Sequence, residues 1–341
     1  MNWRKTNIKK TIPKAESFAK AKRFRRYEFE ELSQIRTIVV KCWALISEIK
    51  TTLAKTSWII WKSFGMKTNK ADSYEPLWTR SLVLRPVSPF RLDLTVWTLR
   101  RRPNNIMDRW NGKTYRRAII IEEKPAEIAV TQMGKIENPL LKVTITSTAP
   151  LTAAKQPVTA LLEKLLGTSV DLAEFYRFAE CSPELKPLMK NFQGFKPPRF
   201  SSIFEALVNG IACQQLTVTY GICLLNRLTL TYGVKLDLPE GTVCAFPRPV
   251  DLATLTPENF RALGYSRQKG KALIELSNRI IEGKVDLDSL EGMNDETVFE
   301  TLIELRGVGR WTSEYVMLRG LGEFMFFPPM MLVDAAACSD G

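Results

Sequence analysis

The sequence has 341 residues, of which 45% are hydrophobic and 25% charged, and a formal net charge of +13. These proportions exclude a disordered or fibrous chain, and no apolar run reaches the ~18–20 residues that cross a bilayer. The absence of histidine excludes imidazole catalysis and histidine metal sites. Six cysteines without a CxxC pair argue against zinc or a disulfide framework. The basic excess favours a polyanionic partner, with nucleic acid ahead of a membrane surface.

Most of the basic charge lies in a leader, residues 1–65, with 15 Lys or Arg against 5 Asp or Glu, a local charge of +10. The leader lacks sustained periodicity, and we expect it to be disordered or not part of the natural protein. One explanation is an over-extended reading frame whose true start is Met66. The other is a genuine basic tail that binds nucleic acid.

Residues 78–166 predict an α/β domain built on an antiparallel sheet. Apolar residues alternate with period two over residues 90–97, which predicts a strand, and Asn111-Gly112 is a hairpin turn signal. A helix is predicted over 152–166. Further strands are predicted at 115–122, 127–132 and 141–147.

Residues 167–328 predict an all-α domain of short helices. The longest apolar-periodic segments are 203–216 and 220–231. Thr256 before a proline is typical of a helix start. Three other positions are expected to begin helices: Ser266, Asp288 and Asp295.

The most informative segment comprises two predicted helices, 295–305 and 310–318, joined by a tight turn. Gly307 and Gly309 allow positive φ and close backbone approach in this turn. The first N–H groups of the second helix lack partners and favour phosphate. The alternative is a helix–helix corner without a ligand. Two nearby side chains can add a charge and a hydroxyl to a phosphate site: Arg310 and Thr312.

Three motifs together resemble the helix-hairpin-helix DNA glycosylase superfamily. Leu305–Thr312 resembles its hairpin, Phe204–Thr217 its other signature helix and following turn, and Leu263–Lys269 an intervening turn that contacts phosphate. The motifs follow the family's order, and the resemblance spans roughly residues 78–330. The most similar branch is DNA-3-methyladenine glycosylase II, whose N-terminal sheet domain resembles half of the TATA-box-binding protein. The implied fold class is α+β, with a C-terminal truncation.

The resemblance implies an enzyme of base excision repair that flips an alkylated purine out of double-stranded DNA and hydrolyses its N-glycosidic bond. Lyase-active relatives have a Schiff-base lysine where this chain has Trp311, so the resemblance implies a monofunctional enzyme. The Trp311 ring can stack on an electron-poor base. Tyr315, four residues later, shares its helical face and would complete the base pocket. The alternative for both rings is core packing.

The resemblance also assigns supporting roles. Gln214 and Gln215 fall in the turn that fills the gap left by the flipped base, while Ser266 and Lys269 join the hairpin in holding the DNA backbone. Cys213, where the family usually has glycine, is interpreted as a packing residue. Apart from the monovalent cation described below, the resemblance implies no cofactor. We expect an intracellular monomer without a membrane partner. Its expected location is the cytoplasm or nucleoid, or the nucleus of a eukaryote. Three backbone carbonyls match a monovalent-cation site: Ile303, Leu305 and Val308.

The family's essential aspartate, which stabilises the developing sugar cation, follows a proline about twenty residues beyond the position of Trp311. Here Pro328 matches that proline, but Met330 occupies the aspartate position and Asp334 lies four residues too late. Met330 and Met331 must be encoded by ATGATG, because methionine has one codon. If the reading frame begins one base earlier, these nucleotides contain GAT, an aspartate codon. We therefore expect residues 329–341 to be a frameshifted tail. The alternative is a truncated, catalytically silent DNA-binding protein.

Overall fold

The structure is a computed structural model that describes residues 77–183 and 185–322. Both ranges fall in one compact unit, Ser73–Gly341. The leader 1–65 and the tail with Met330 and Asp334 lie outside the described residues, so the expectations about them stay predictions. The domain boundary at residue 166 also stays a prediction. No helix in the described part of the chain is long and apolar enough to cross a membrane.

A five-stranded antiparallel sheet forms the first part of the described chain, with strand order β1-β5-β4-β3-β2. The three strands predicted after the hairpin turn are confirmed, and Gly112 adopts a φ of 95° in that turn. β1 was not predicted; it pairs with β5, with Trp78 opposite Ser147. A likeness of this sheet to half of the TATA-box-binding protein stays a prediction. The strands are β1 Trp78–Leu84, β2 Arg109–Trp110, β3 Thr114–Ile121, β4 Lys124–Gln132 and β5 Leu141–Ser147.

The strand predicted over residues 90–97 is wrong, because residues 92–97 lie in helix α1, Leu92–Arg100. Its buried residues are Leu92, Thr95, Val96 and Leu99, which have the i, i+3, i+4, i+7 spacing of one helix face. A short alternating run fits both the two-residue period of a strand and the 3.6-residue period of a helix. The buried Leu99 distinguishes the two, because it continues the helical spacing.

Helices dominate the rest of the described chain, but the prediction of an all-α region is wrong. A β-hairpin follows α6, with β6 at Val234–Leu238 and β7 at Gly241–Ala245; strands this short leave little periodic signal. A 3-10 turn at Asp288–Leu290 replaces one predicted helix, and a π-helical turn follows α11 at Met317–Leu321. The helices are α2 Lys155–Leu166, α3 Ala173–Cys181, α4 Leu185–Phe192, α5 Ile203–Cys213, α6 Val218–Tyr232, α7 Pro249–Leu252, α8 Pro257–Ala262, α9 Arg267–Ile281, α10 Asp295–Ile303 and α11 Arg310–Val316.

Side-chain caps begin several of these helices. The hydroxyl of Thr256 accepts a hydrogen bond from the Asn259 N–H, which confirms the predicted start of α8. Ser266 caps α9 in the same way. The cap of α10 is Asn294 rather than Asp295, which lies in the first turn, where its charge favours the helix dipole.

A buried ion-pair cluster connects the sheet to α5. The guanidinium of Arg117, on β3, donates to Asp108 at 2.7 Å and to the two carboxylate oxygens of Glu205 at 2.7 and 2.6 Å. These three side chains are at most 3% exposed. Burial alone would lower the pKa of Arg117, but Glu205 and Asp108 hold it well above its ordinary value. The cluster therefore positions α5 against the sheet through charge as well as apolar packing.

We predict that Arg117→Met destabilises the protein by about 3–5 kcal/mol, because it leaves two buried carboxylates without their cation. Arg116→Met, on the same strand, is the matched control: the Arg116 side chain is 44% exposed, and its loss should cost about 1 kcal/mol or less. Urea unfolding followed by circular dichroism measures both. Equal losses in the two variants would contradict the role given to Arg117.

Candidate active site

The turn after α5 is held by a lysine from α9. Lys269 donates from Nζ to the carbonyl oxygens of Ala212 at 2.9 Å and Gln214 at 2.8 Å. These groups would otherwise lack partners at the end of the helix. In the free protein the Lys269 ammonium is thus bonded within the chain, and its contact with DNA phosphate stays a prediction. Ser266 uses its hydroxyl to accept the Lys269 N–H.

The same turn is tied to the hairpin by Gln214. Its Nε2 donates to the carbonyl of Gly307 at 2.7 Å and to the hydroxyl of Thr312 at 2.9 Å. Thr312 is only 2% exposed, so its hydroxyl is directed into the protein rather than towards solvent. Gln215 is exposed and has a φ of 55°, in the left-handed region of backbone conformation. Gln214 and Gln215 are the two residues predicted to fill the gap left by a flipped base. Of these, Gln215 is the one that remains exposed.

The hairpin between α10 and α11 presents open backbone. Gly307 has a φ of 78°, whereas Gly309 is extended and begins α11, so one of the two glycines uses a positive φ. A Cβ at Gly309 would meet nothing within 4 Å. Arg310 is exposed beside it and donates from Nε to Glu314 at 2.8 Å. A cleft of about 550 Å³ separates residues 213–216 from residues 309–312.

Two aromatic rings stack at the start of α11. The rings of Trp311 and Tyr315 lie 5.2 Å apart at an angle of 12°. Trp311 is 57% exposed and lines the cleft. Tyr315 packs on the inner side against Phe200, with ring centroids 6.1 Å apart. Burial raises the pKa of the Tyr315 hydroxyl, which keeps it protonated. An exposed aromatic face therefore lies beside the open backbone of the hairpin.

Sequence reasoning missed the side chains behind Tyr315. Arg101, at the end of α1, donates to Asn209 at 2.6 Å and to the Tyr315 hydroxyl at 3.4 Å. The guanidinium carbons of Arg101 and Arg319 lie 5.6 and 5.1 Å from the centroid of the Phe200 ring. The only sequence signal was a run of three arginines at 100–102, and nothing in it indicated a partner 214 residues away.

Cys213 is a packing residue in this geometry. Its Sγ lies so close to α6 that a Cβ on Gly221 would approach it to 2.5 Å. Burial raises the pKa of the Cys213 thiol, which disfavours the nucleophilic thiolate. Contact between the two helices therefore accounts for a small residue at this position.

The carbonyls proposed for a monovalent cation are partly used within the hairpin. The Leu305 oxygen accepts the Val308 N–H at 3.0 Å, which leaves it one lone pair. Carbonyl oxygens beyond a helix end are suitable ligands for an alkali cation, so these three carbonyls are the right type of ligand for it. The site at Ile303, Leu305 and Val308 stays a prediction. The described residues contain no cluster of three His, Cys, Asp or Glu that could hold a metal.

Solved structures of DNA glycosylases share this fold. The structure matches a 3-methyladenine DNA-glycosylase from Archaeoglobus fulgidus with a TM-score of 0.62 at 22% identity, covering 72% of this chain and 81% of that one. It also matches an 8-oxoguanine glycosylase/lyase from Clostridium acetobutylicum, solved in complex with double-stranded DNA, with a TM-score of 0.56 at 20% identity, covering 77% and 83%.

The sequence is similar to DNA-3-methyladenine glycosylase 2 of Escherichia coli, with 31% identity over 175 residues, 50% of this chain and 58% of that protein. The chain spans about half the length of the curated relatives it matches, and no protein-family model matches it. These similarities confirm the resemblance to the helix-hairpin-helix DNA glycosylase superfamily and to its DNA-3-methyladenine glycosylase II branch.

We predict that Lys269→Met lowers the free energy of unfolding by about 1–3 kcal/mol, because two carbonyls lose a charged donor. Lys271→Met, two residues further along α9 and exposed, should change it by no more than about 0.5 kcal/mol. Hydrogen exchange gives a second measurement, with faster exchange expected at Leu216, whose N–H donates to the Cys213 carbonyl in this turn. If exchange there is unchanged, Lys269 does not hold the turn.

Proposed function

We propose that the chain is a DNA N-glycosylase of base excision repair that releases alkylated purines of the 3-methyladenine type. The observation that carries this proposal is the stacked pair Trp311 and Tyr315 on the short helix that follows the Gly307–Gly309 hairpin. An exposed indole face binds a flipped base by stacking. The names of the relatives in sequence and in fold support the reaction and the lesion class.

The open backbone of the hairpin supports the DNA contact. N–H groups at the start of α11 carry the positive end of the helix dipole and favour a phosphate oxygen. Arg310 is exposed beside them and adds a positive charge. Gln215 is exposed across the cleft, and we assign it to fill the gap that the flipped base leaves in the duplex. Gln214 and Lys269 support that role indirectly, because they hold the turn while their own polar groups stay bonded within the protein.

Trp311 also favours a monofunctional enzyme. Lyase chemistry needs an amine that attacks the sugar and forms a Schiff base, and an indole offers no such nucleophile. Lys269, which contacts the turn at one side of the cleft, is bonded to two carbonyls. Water is therefore the proposed nucleophile, and the abasic strand should remain uncut.

Hydrolysis needs a carboxylate near the sugar, and the described residues offer no uncommitted one at the cleft. Glu205 and Asp108 are bound by Arg117, and Glu314 pairs with Arg310. The proposal therefore assigns this role to the aspartate whose GAT codon overlaps the codons of Met330 and Met331 and is read when the frame of the tail is restored. A gene whose ATGATG is intact and in frame, without a single-base error, would contradict the frameshift.

We predict that the present chain binds methylated duplex DNA without releasing 3-methyladenine, whereas the frame-restored chain releases it. The reason is that an aspartate can stabilise the oxocarbenium-like sugar and a methionine cannot. Chromatography of the released base measures this. Release by the present chain would contradict the assigned carboxylate. Binding without release by both chains would favour a catalytically silent DNA-binding protein.

We predict that Trp311→Ala in the frame-restored chain lowers base release tenfold or more while duplex affinity mostly survives, since stacking contributes about 1–3 kcal/mol per base. Trp97→Ala is the matched control, because Trp97 is 69% exposed on α1 and lies outside the stacked pair. Equal losses of binding and release in the Trp311 variant would make that residue structural. Borohydride should trap no covalent complex with DNA, as expected for an enzyme without a Schiff-base lysine.

A further inference from the structure

Helix α11 buries one side and leaves the other open to solvent. Its buried residues are Thr312, Ser313 and Val316. The first two residues of the helix, Arg310 and Trp311, line the cleft. A cation, an aromatic ring and a carboxylate therefore lie next to one another on the open side, at the edge of the cleft. They belong to three side chains that reach solvent: Arg310, Trp311 and Glu314.

In the free protein the carboxylate of Glu314 is paired with Arg310. The Nε of Arg310 donates to Oε1 of Glu314 at 2.8 Å, four residues later on the same helix. The two side chains are 79% and 33% exposed, and an ion pair this open to water contributes little to stability. A DNA phosphate at the hairpin, where the helix dipole already favours negative charge, can therefore take the guanidinium from Glu314 at little cost.

Glu314 lies three residues after Trp311. Side chains with this spacing are neighbours on a helix surface, with Cβ atoms about 5–6 Å apart. If a phosphate takes Arg310, an unpaired carboxylate remains beside the ring on which the base would stack. A carboxylate at that separation attracts a base that carries a positive charge and has no comparable effect on a neutral base.

We propose that Glu314 is a specificity-determining residue that favours cationic N-alkylpurines. On DNA binding a backbone phosphate takes Arg310, and the released carboxylate stabilises the positive charge of the base stacked on Trp311. The inference rests on the proposed function, because it needs a flipped base at that ring. Stacking accepts every base, so the charge of the base is what the carboxylate adds to recognition. Glu314 acts in binding, and hydrolysis stays with the aspartate of the restored frame.

Fluorescence anisotropy of the full chain with three duplexes tests the preference. The cationic duplex contains 7-methylguanine on a 2′-fluorinated sugar, which slows base loss. The neutral duplex contains 7-methyl-7-deazaguanine on the same sugar, which keeps the methyl group and the shape but carries no charge. An unmodified duplex is the reference. We expect the cationic duplex to bind about three- to fivefold more tightly than the neutral one, which is the effect of a partly exposed ion pair.

Two variants separate the carboxylate from the ion pair. Glu314→Gln should bring the ratio of cationic to neutral binding close to one. It should also tighten binding of the unmodified duplex about two- to threefold, because Arg310 no longer leaves a partner to reach phosphate. Arg310→Met removes the same ion pair, but it should keep the ratio while weakening binding of all three duplexes, since a phosphate contact is lost. Glu300→Gln removes an exposed carboxylate on α10 and should leave the ratio unchanged.

The outcomes distinguish this inference from the proposed function. Both modified duplexes binding more tightly than the unmodified one, with a ratio of one or less, would overturn the role of Glu314 and leave the glycosylase proposal intact. A ratio lost equally in Glu314→Gln and Arg310→Met would also overturn it, because that is what a structural ion pair produces. Unchanged binding of the unmodified duplex by Glu314→Gln would overturn the exchange with phosphate. Neither modified duplex binding above the reference would overturn both proposals.

Discussion

The position of the candidate site depends on the buried pairing of Arg117 with Asp108 and Glu205. A guanidinium without water is costly unless its donors meet opposite charge, and this one has both carboxylates within 2.7 Å. Because Arg117 belongs to the sheet and Glu205 to the first turn of α5, satisfying the charge fixes where that helix lies. The far end of the helix then forms the turn opposite the hairpin, so a polar requirement in the core sets the geometry of a surface cleft.

Around the cleft, polar side chains divide into those bonded within the protein and those left open. Gln214 and Lys269 are bonded to backbone and hydroxyl groups of neighbouring elements, and these bonds hold the turn and the hairpin at a set separation. Gln215, Trp311 and the backbone at Gly309 remain accessible. A rigid frame with a few exposed groups is the arrangement that positions a ligand with little ordering at the moment of binding.

The charge that matters to the site is local. Of the net +13, residues 1–65 carry +10, which leaves +3 for the rest of the chain. The DNA contact proposed for the described part therefore depends on open N–H groups and a few exposed arginines rather than on bulk charge. Two further arginines, Arg101 and Arg319, lie behind the aromatic pair, with their guanidinium carbons 5.6 and 5.1 Å from the centroid of the Phe200 ring.

Local patterns in the sequence were sufficient for features that depend on neighbours along the chain. Cap residues such as Thr256 and Ser266 marked helix starts, and the i, i+4 spacing of Trp311 and Tyr315 placed two rings on one face. These follow from backbone geometry and short-range hydrogen bonds.

Only the tertiary structure decided the rest. It made a helix of residues 92–97, because burial of Leu99 selected one of two periods that the short run allowed equally. It also directed the Lys269 ammonium onto the end of α5 and brought Arg101 to Tyr315 across 214 residues of chain. The physical reason is that periodicity and capping report a residue's own element, whereas the partner of a long cationic side chain is set by how separate elements pack.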